Sequence, residues 1–235
     1  MLNISKDYAP LLKMVLPFFA GGGLFYLSFA FSLFMILPDF NPQDVYVLGV
    51  AHLFFVGFVA TIFIGAMAQL VPVILEAPHS HLNFYWAILI GILFGVVLLV
   101  GGFWFEPFLL SLAAMLILVS VLLYLCDLYF TILKILKFNF LSIVMIVSHT
   151  FLFFGILCGV YLAFGFSGHL EVDFEKFLIL HVYLVLIGFM LNLVIAVAIL
   201  LLPMFSLAHG FSKTFAKIAF VLFSISPILI LFDLY

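Results

Sequence analysis

Arginine is absent from the 235 residues, and charged residues of any kind make up only 7% of them. Without guanidinium groups the chain lacks the planar forks that grip phosphate or carboxylate through two parallel hydrogen bonds. With so little charge it also lacks polar cover for a water-soluble core, since 69% of its residues are hydrophobic and its mean hydropathy is +1.52. The formal net charge is −3, and no basic cluster interrupts the apolar runs, which excludes nucleic acid as a partner. Cysteine is equally scarce. Cys126 and Cys158 both lie inside apolar stretches at a spacing that excludes a redox CxxC or a zinc knuckle, and both are read as core residues. Also missing are an HExxH or HxxxH metal motif, a GxSxG nucleophile turn and a phosphate-cradling glycine loop, so the corresponding hydrolases and nucleotide enzymes drop out.

What the sequence does contain is apolar length. Its polar breaks cut it into seven runs, at about residues 11–37, 44–75, 83–105, 108–133, 139–166, 174–205 and 213–232. Runs of some twenty residues match helices crossing ~30 Å of hydrocarbon, whereas barrel strands alternate in polarity over about ten residues. The expected fold is therefore an all-α integral membrane protein with about seven transmembrane helices, forming one bundle over residues 1–235. The first run is too long for a signal-peptide core and has no small-residue cleavage site, so it is expected to stay as a helix. Short connections such as Pro38-Asp39-Phe40-Asn41-Pro42, Glu76-Ala77-Pro78-His79, Phe105-Glu106-Pro107 and Gly168-His169-Leu170-Glu171 make neighbouring spans antiparallel.

Lysines set the expected orientation, because basic loops remain cytoplasmic. Lys6, Lys13, Lys134, Lys137, Lys213 and Lys217 fall on one side of a seven-span arrangement and only Lys176 on the other. The N-terminus is then inside, and Asp39, Asp44, Glu106, Glu171, Asp173 and Glu175 gather outside. A bacterial-type cytoplasmic membrane is the expected location. The expected partners are the lipid bilayer and either further copies of the chain or subunits of a respiratory complex.

Span two, "GVAHLFFVGFVATIFIGAMAQLVPV", has an echo in span six, "HVYLVLIGFMLNLVIAVAILLLPM". Gly57-Phe58 and Pro72 recur as Gly188-Phe189 and Pro203 at an offset of 131 residues, while Asp44 and His52 recur as Asp173 and His181 at 129. This predicts a repeat of four spans, the first copy at about 11–133 and a second, incomplete one at about 139–235. The slip of two residues turns a helix by about 200°. One of the two spans then needs a π-bulge for both histidines to face the same way.

Histidines carry the candidate chemistry. At ~1.5 Å per residue, His52 sits about 12 Å and His181 about 10 Å below the outer ends of their spans. An ionisable ring at such a depth is either paired with a neighbouring helix or functional. Two at one level can supply axial nitrogens to a flat haem, and Gly49, Gly57 and Gly188 leave room for a macrocycle or for a neighbouring helix. His149 lies deeper, in span five, as a second metal or proton-relay candidate or a satisfied core residue. His79, His81 and His209, with Glu76, fall at the inner surface, where the His-Ser-His spacing suits copper or zinc. Asp127, near the inner end of span four, is expected to pair with Lys134 or to face water.

A span that opens with histidine, continues through Gly-Phe and ends in proline, repeated after four spans, resembles subunit I of the haem-copper oxidases and nitric oxide reductases. It is more closely similar to the NnrS-type membrane proteins. The resemblance implies part of a fold built from arcs of four helices, with spans two and six as second helices of the first two arcs. It also implies haem b as cofactor, with His52 as a low-spin haem ligand and His181 as a haem or metal ligand, in electron transfer or in binding O₂ or NO. The paired histidines of an oxidase copper site are missing from "FSKTFAKIAFVLFSISPILILFDLY", so that site is not implied. A metal-ion protein using the inner-face histidines, or a non-catalytic respiratory subunit, is the alternative.

Overall fold

A computed structural model describes residues 12–36, 41, 44–135, 138–207 and 212–233. Among them there are seven long helices and no strand. Helix α1 is Leu12–Leu33, α3 is Phe84–Trp104, α4 is Leu109–Ile132, α5 is Phe140–Phe166 and α7 is Thr214–Asp233. Two of the seven change pitch along their length. Helix α2 runs as α-helix over Val45–His52, as π-helix over Leu53–Ala60 and as α-helix again over Thr61–Leu75. Helix α6 does the same over Phe174–Val182, Tyr183–Leu191 and Asn192–Ser206. All seven are long and apolar enough to cross a membrane, as the apolar runs predicted. Backbone groups within such a rod bond mostly to their own helix, which suits it to lie in hydrocarbon.

The chain forms two compact units, Met1–Lys134 with Ala163–Glu171, and Ile135–Leu162 with Val172–Tyr235.

In the first unit, α1 and α3 pack on α2, and α4 packs along α3. Lipid tails are as apolar as leucine, so close backbone approach through small residues drives such packing. Gly91 and Gly95 of α3 form a GxxxG pair against α4. A Cβ at Gly91 would overlap Ser120 Oγ, and one at Gly95 would lie 2.6 Å from Ile117 Cγ1. In the triplet Gly21-Gly22-Gly23, the first two make close approaches, to Leu93 and Ile62, and Gly23 meets nothing. At one end, Trp104 stacks on Tyr46 at 5.0 Å and donates its Nε1–H to the Tyr46 carbonyl, while the Tyr46 hydroxyl donates to Ser32 O. Cys126 is exposed rather than a core residue, and Cys158 is half-buried.

In the second unit, α6 packs against α7, and α5 lies along α6 with Gly155 and Gly188 at the contact. Asn192, fully buried, ties α6 to α7 by donating its Nδ2–H to Ser224 Oγ at 3.2 Å.

Helices α2 and α6 share a local order of features. Each starts at an aspartate N-cap, Asp44 accepting from the Tyr46 amide and Asp173 from the Lys176 amide. Each widens into π-helix, carries a glycine at which an added Cβ would stand 2.9 Å from a phenylalanine Cβ (Gly57 on Phe25, Gly188 on Phe151), and contains a proline. Each ends in a left-handed residue that is not glycine, Glu76 at φ 54° and Leu207 at φ 52°. The histidines do not follow this order. The single π-bulge expected from the two-residue slip is instead a π-helical stretch in both spans, so the slip is not absorbed. His52 packs on Phe103 of α3 while Gly57 faces both Phe25 of α1 and Val96 of α3, whereas His181 and Gly188 both face α5.

Candidate functional site

The densest polar cluster among the described residues is one that the sequence left scattered. Pro72 has no amide hydrogen, so the Ala68 carbonyl four residues earlier loses its helical donor. His79, in the connection from α2 to α3, turns inward and donates its Nε2–H to that carbonyl at 2.7 Å. Its Nδ1 lies 2.6 Å from Oδ2 of Asp127 on α4, the two side chains being 3% and 1% exposed. Asp127 Oδ1 accepts the His81 amide at 2.6 Å, and Thr131, one turn on, accepts the Ser80 amide at 3.0 Å while its hydroxyl donates to the Asp127 carbonyl. A buried carboxylate is stable only with such partners. Asp127 therefore neither pairs with Lys134 nor faces water.

The rest of this pocket is aromatic. Tyr85 of α3 meets His79 edge-on at 5.4 Å and Phe18 of α1 at 6.2 Å. Its hydroxyl is buried and has no hydrogen-bond partner among the described residues.

This arrangement redirects the inner-face metal residues. Both ring nitrogens of His79 are engaged here, Nε2 by the Ala68 carbonyl and Nδ1 by Asp127. The His81 ring stacks on Phe84 at 4.8 Å and meets Phe130 edge-on, and Glu76 is an exposed helix terminus. His209 lies outside the described residues. Among the described residues no three His, Cys, Asp or Glu side chains stand together as a metal-binding group.

The three histidines within the spans share one geometry. His52 Nδ1 lies 2.7 Å from the Leu48 carbonyl, His149 Nδ1 2.7 Å from the Met145 carbonyl, and His181 Nδ1 2.8 Å from the Gly155 carbonyl of α5. A carbonyl oxygen carries no proton, so Nδ1 donates in every case. His52 is half-buried beside Phe103, at 5.1 Å, immediately before the π-helix of α2. His181 is half-buried two residues before the π-helix of α6, its imidazole lying on Gly159. His149 is fully buried, edge-on to Phe189 at 5.3 Å and close to Ser148 Oγ. His52 belongs to the first unit, and His149 and His181 to the second.

The glycine slots offered to a macrocycle have other occupants. Trp104 fills the one at Gly49, Phe25 the one at Gly57, and Phe151 the one at Gly188. These glycines serve helix packing.

The residue that sequence reasoning missed is Asp127 as partner of His79. Its signal was present: a proline inside a span orphans a carbonyl, and a polar side chain within reach is needed to satisfy it.

An all-helical chain with seven apolar spans has the architecture of a multi-pass membrane protein. No protein-family model, curated protein or solved structure matches the chain.

Proposed function

We propose that the chain is a multi-pass protein of a bacterial-type cytoplasmic membrane that holds haem b through histidine, for electron transfer or for binding O₂ or NO. One observation carries the reading: His52 and His181 both commit Nδ1 to a backbone carbonyl, which fixes the orientation and tautomer of each ring as a haem ligand requires. The half-burial of both rings, each just ahead of a π-helical stretch, supports it, because π-helical stretches are frequent at functional sites. The features shared by α2 and α6 support a four-span repeat of the haem-copper oxidase and NnrS-like kind, with the N-terminus inside by the placement of lysines. Bound haem would supply a redox-active iron. The chain's own residues would orient the axial nitrogens and, in the absence of arginine, meet the propionates with lysine, histidine, tyrosine, tryptophan or backbone amides.

Expression with added haem and purification in detergent is the test. A Soret band and a reduced α-band are expected, altered or lost in His52→Ala and in His181→Ala. A colourless preparation overturns the reading and leaves a structural subunit in its place.

A further inference from the structure

The connection from α2 to α3 is fastened to α4 by a side-chain arrangement that contains a fixed number of protons. His79 Nε2 faces a carbonyl and must donate. Between Nδ1 and Oδ2 of Asp127, 2.6 Å apart, only one proton fits. With none, a ring lone pair faces a carboxylate; with two, an N–H and an O–H point at each other. The carboxylate also holds the His81 amide, so the backbone of the connection depends on the same group. Next to it stands Tyr85, whose buried hydroxyl makes no hydrogen bond within 3.5 Å among the described residues yet lies near enough to Asp127 to bond it after a small shift. A closed arrangement that leaves an O–H unpaired beside a carboxylate already contains the donor for a second arrangement.

The geometry points to a proton-binding site made of His79, Asp127 and Tyr85. One proton between Nδ1 and Oδ2 closes the α2–α3 connection onto α4, and its departure to solvent releases His79 while the Tyr85 hydroxyl takes over as donor to Asp127. The other titratable neighbours among the described residues are Tyr124, buried on α4 itself, and His81, which gives Asp127 its amide and turns its ring to Phe84. Helix α2 contributes only the Ala68 carbonyl, and α1 only Phe18 through its contact with Tyr85. The site is independent of any haem.

The sign of its pH dependence inverts on a single substitution. In the wild type, raising the pH strips the shared proton and sets the carboxylate against a ring lone pair, so the connection loosens. In Asp127→Asn the amide N–H donates to Nδ1 of a neutral ring, and the amide oxygen still accepts from His81. The same closed geometry then requires the deprotonated ring, and lowering the pH loosens it.

Amide hydrogen exchange over residues 76–83, corrected for intrinsic chemical exchange, measures this on the full chain in lipid nanodiscs from about pH 5 to about pH 9. Wild-type protection is expected to fall about tenfold or more toward the alkaline end, and that of Asp127→Asn toward the acid end. Wild-type protection that does not vary with pH, or loss of the same sign in both proteins, overturns the proposal. Tyr85→Phe adds a second measurement if the first variant does not fold: without the replacement donor, the alkaline loss moves to higher pH, and an unmoved profile overturns the proposal.

Discussion

The imidazole of His181 rests in a notch that only Gly159 provides, because a Cβ at that position would stand 2.9 Å from Cε1 and 3.2 Å from Nδ1 of the ring. The same ring donates to the Gly155 carbonyl one turn away, so a pair of glycines on α5 receives one side chain of α6. Gly159→Ala is therefore expected to push the imidazole off its carbonyl and to destabilise the second unit by about 1–3 kcal/mol. Thermal unfolding in detergent checks the loss. If haem is bound, the same variant also shifts its α-band without removing any ligand atom.

Removing one member of the His79–Asp127 pair leaves the other buried and unmatched. Asp127→Ala is expected to cost about 3–5 kcal/mol, and His79→Ala a comparable amount. The double variant should cost clearly less than the two added together, since neither partner is then stranded. Full additivity in denaturant melts would show that the two residues act separately.

Pro72 makes the His79 contact necessary, and the pair should behave accordingly. Pro72→Ala restores an amide that can bond to the Ala68 carbonyl, so His79→Ala is expected to be milder in that background by about 1 kcal/mol. Equal effects of His79→Ala in both backgrounds would argue that the proline does not govern this carbonyl.

Asn192 is satisfied on one side only. Its Nδ2 donates to Gly188 O and Ser224 Oγ, while its buried Oδ1 has no partner among the described residues. Asn192→Leu removes the orphan acceptor together with the bond, so its stability should lie within about 1 kcal/mol of wild type. Asn192→Asp, which places a charge where no donor waits, is expected to be far more damaging in the same melt.

The seven spans could be read from the sequence to within a few residues because hydrocarbon thickness fixes the length of an apolar run. Which face of each span points inward could not, since lipid and protein interior are equally apolar and a buried stripe leaves little trace in composition. Cys126 shows the effect: its apolar surroundings suggest a core position, yet its side chain is exposed. His52 and His181 were found because an imidazole in hydrocarbon stands out against its neighbours. The His79–Asp127 pair was not, because 48 residues separate its members and each taken alone resembles an ordinary loop or helix-end group. The two-residue slip called for irregular pitch in one of the two helices, whereas π-helix runs in both.

The π-helical stretches have a mechanical consequence. In a plain α-helix, every side chain's bearing is locked to every other, so turning one face toward a new neighbour turns them all. The wide turns at Leu53–Ala60 and Tyr183–Leu191 act as swivels within rods that continue as α-helix on either side. Each of these spans therefore has two independently aimed ends, one bearing the histidine and one bearing the proline.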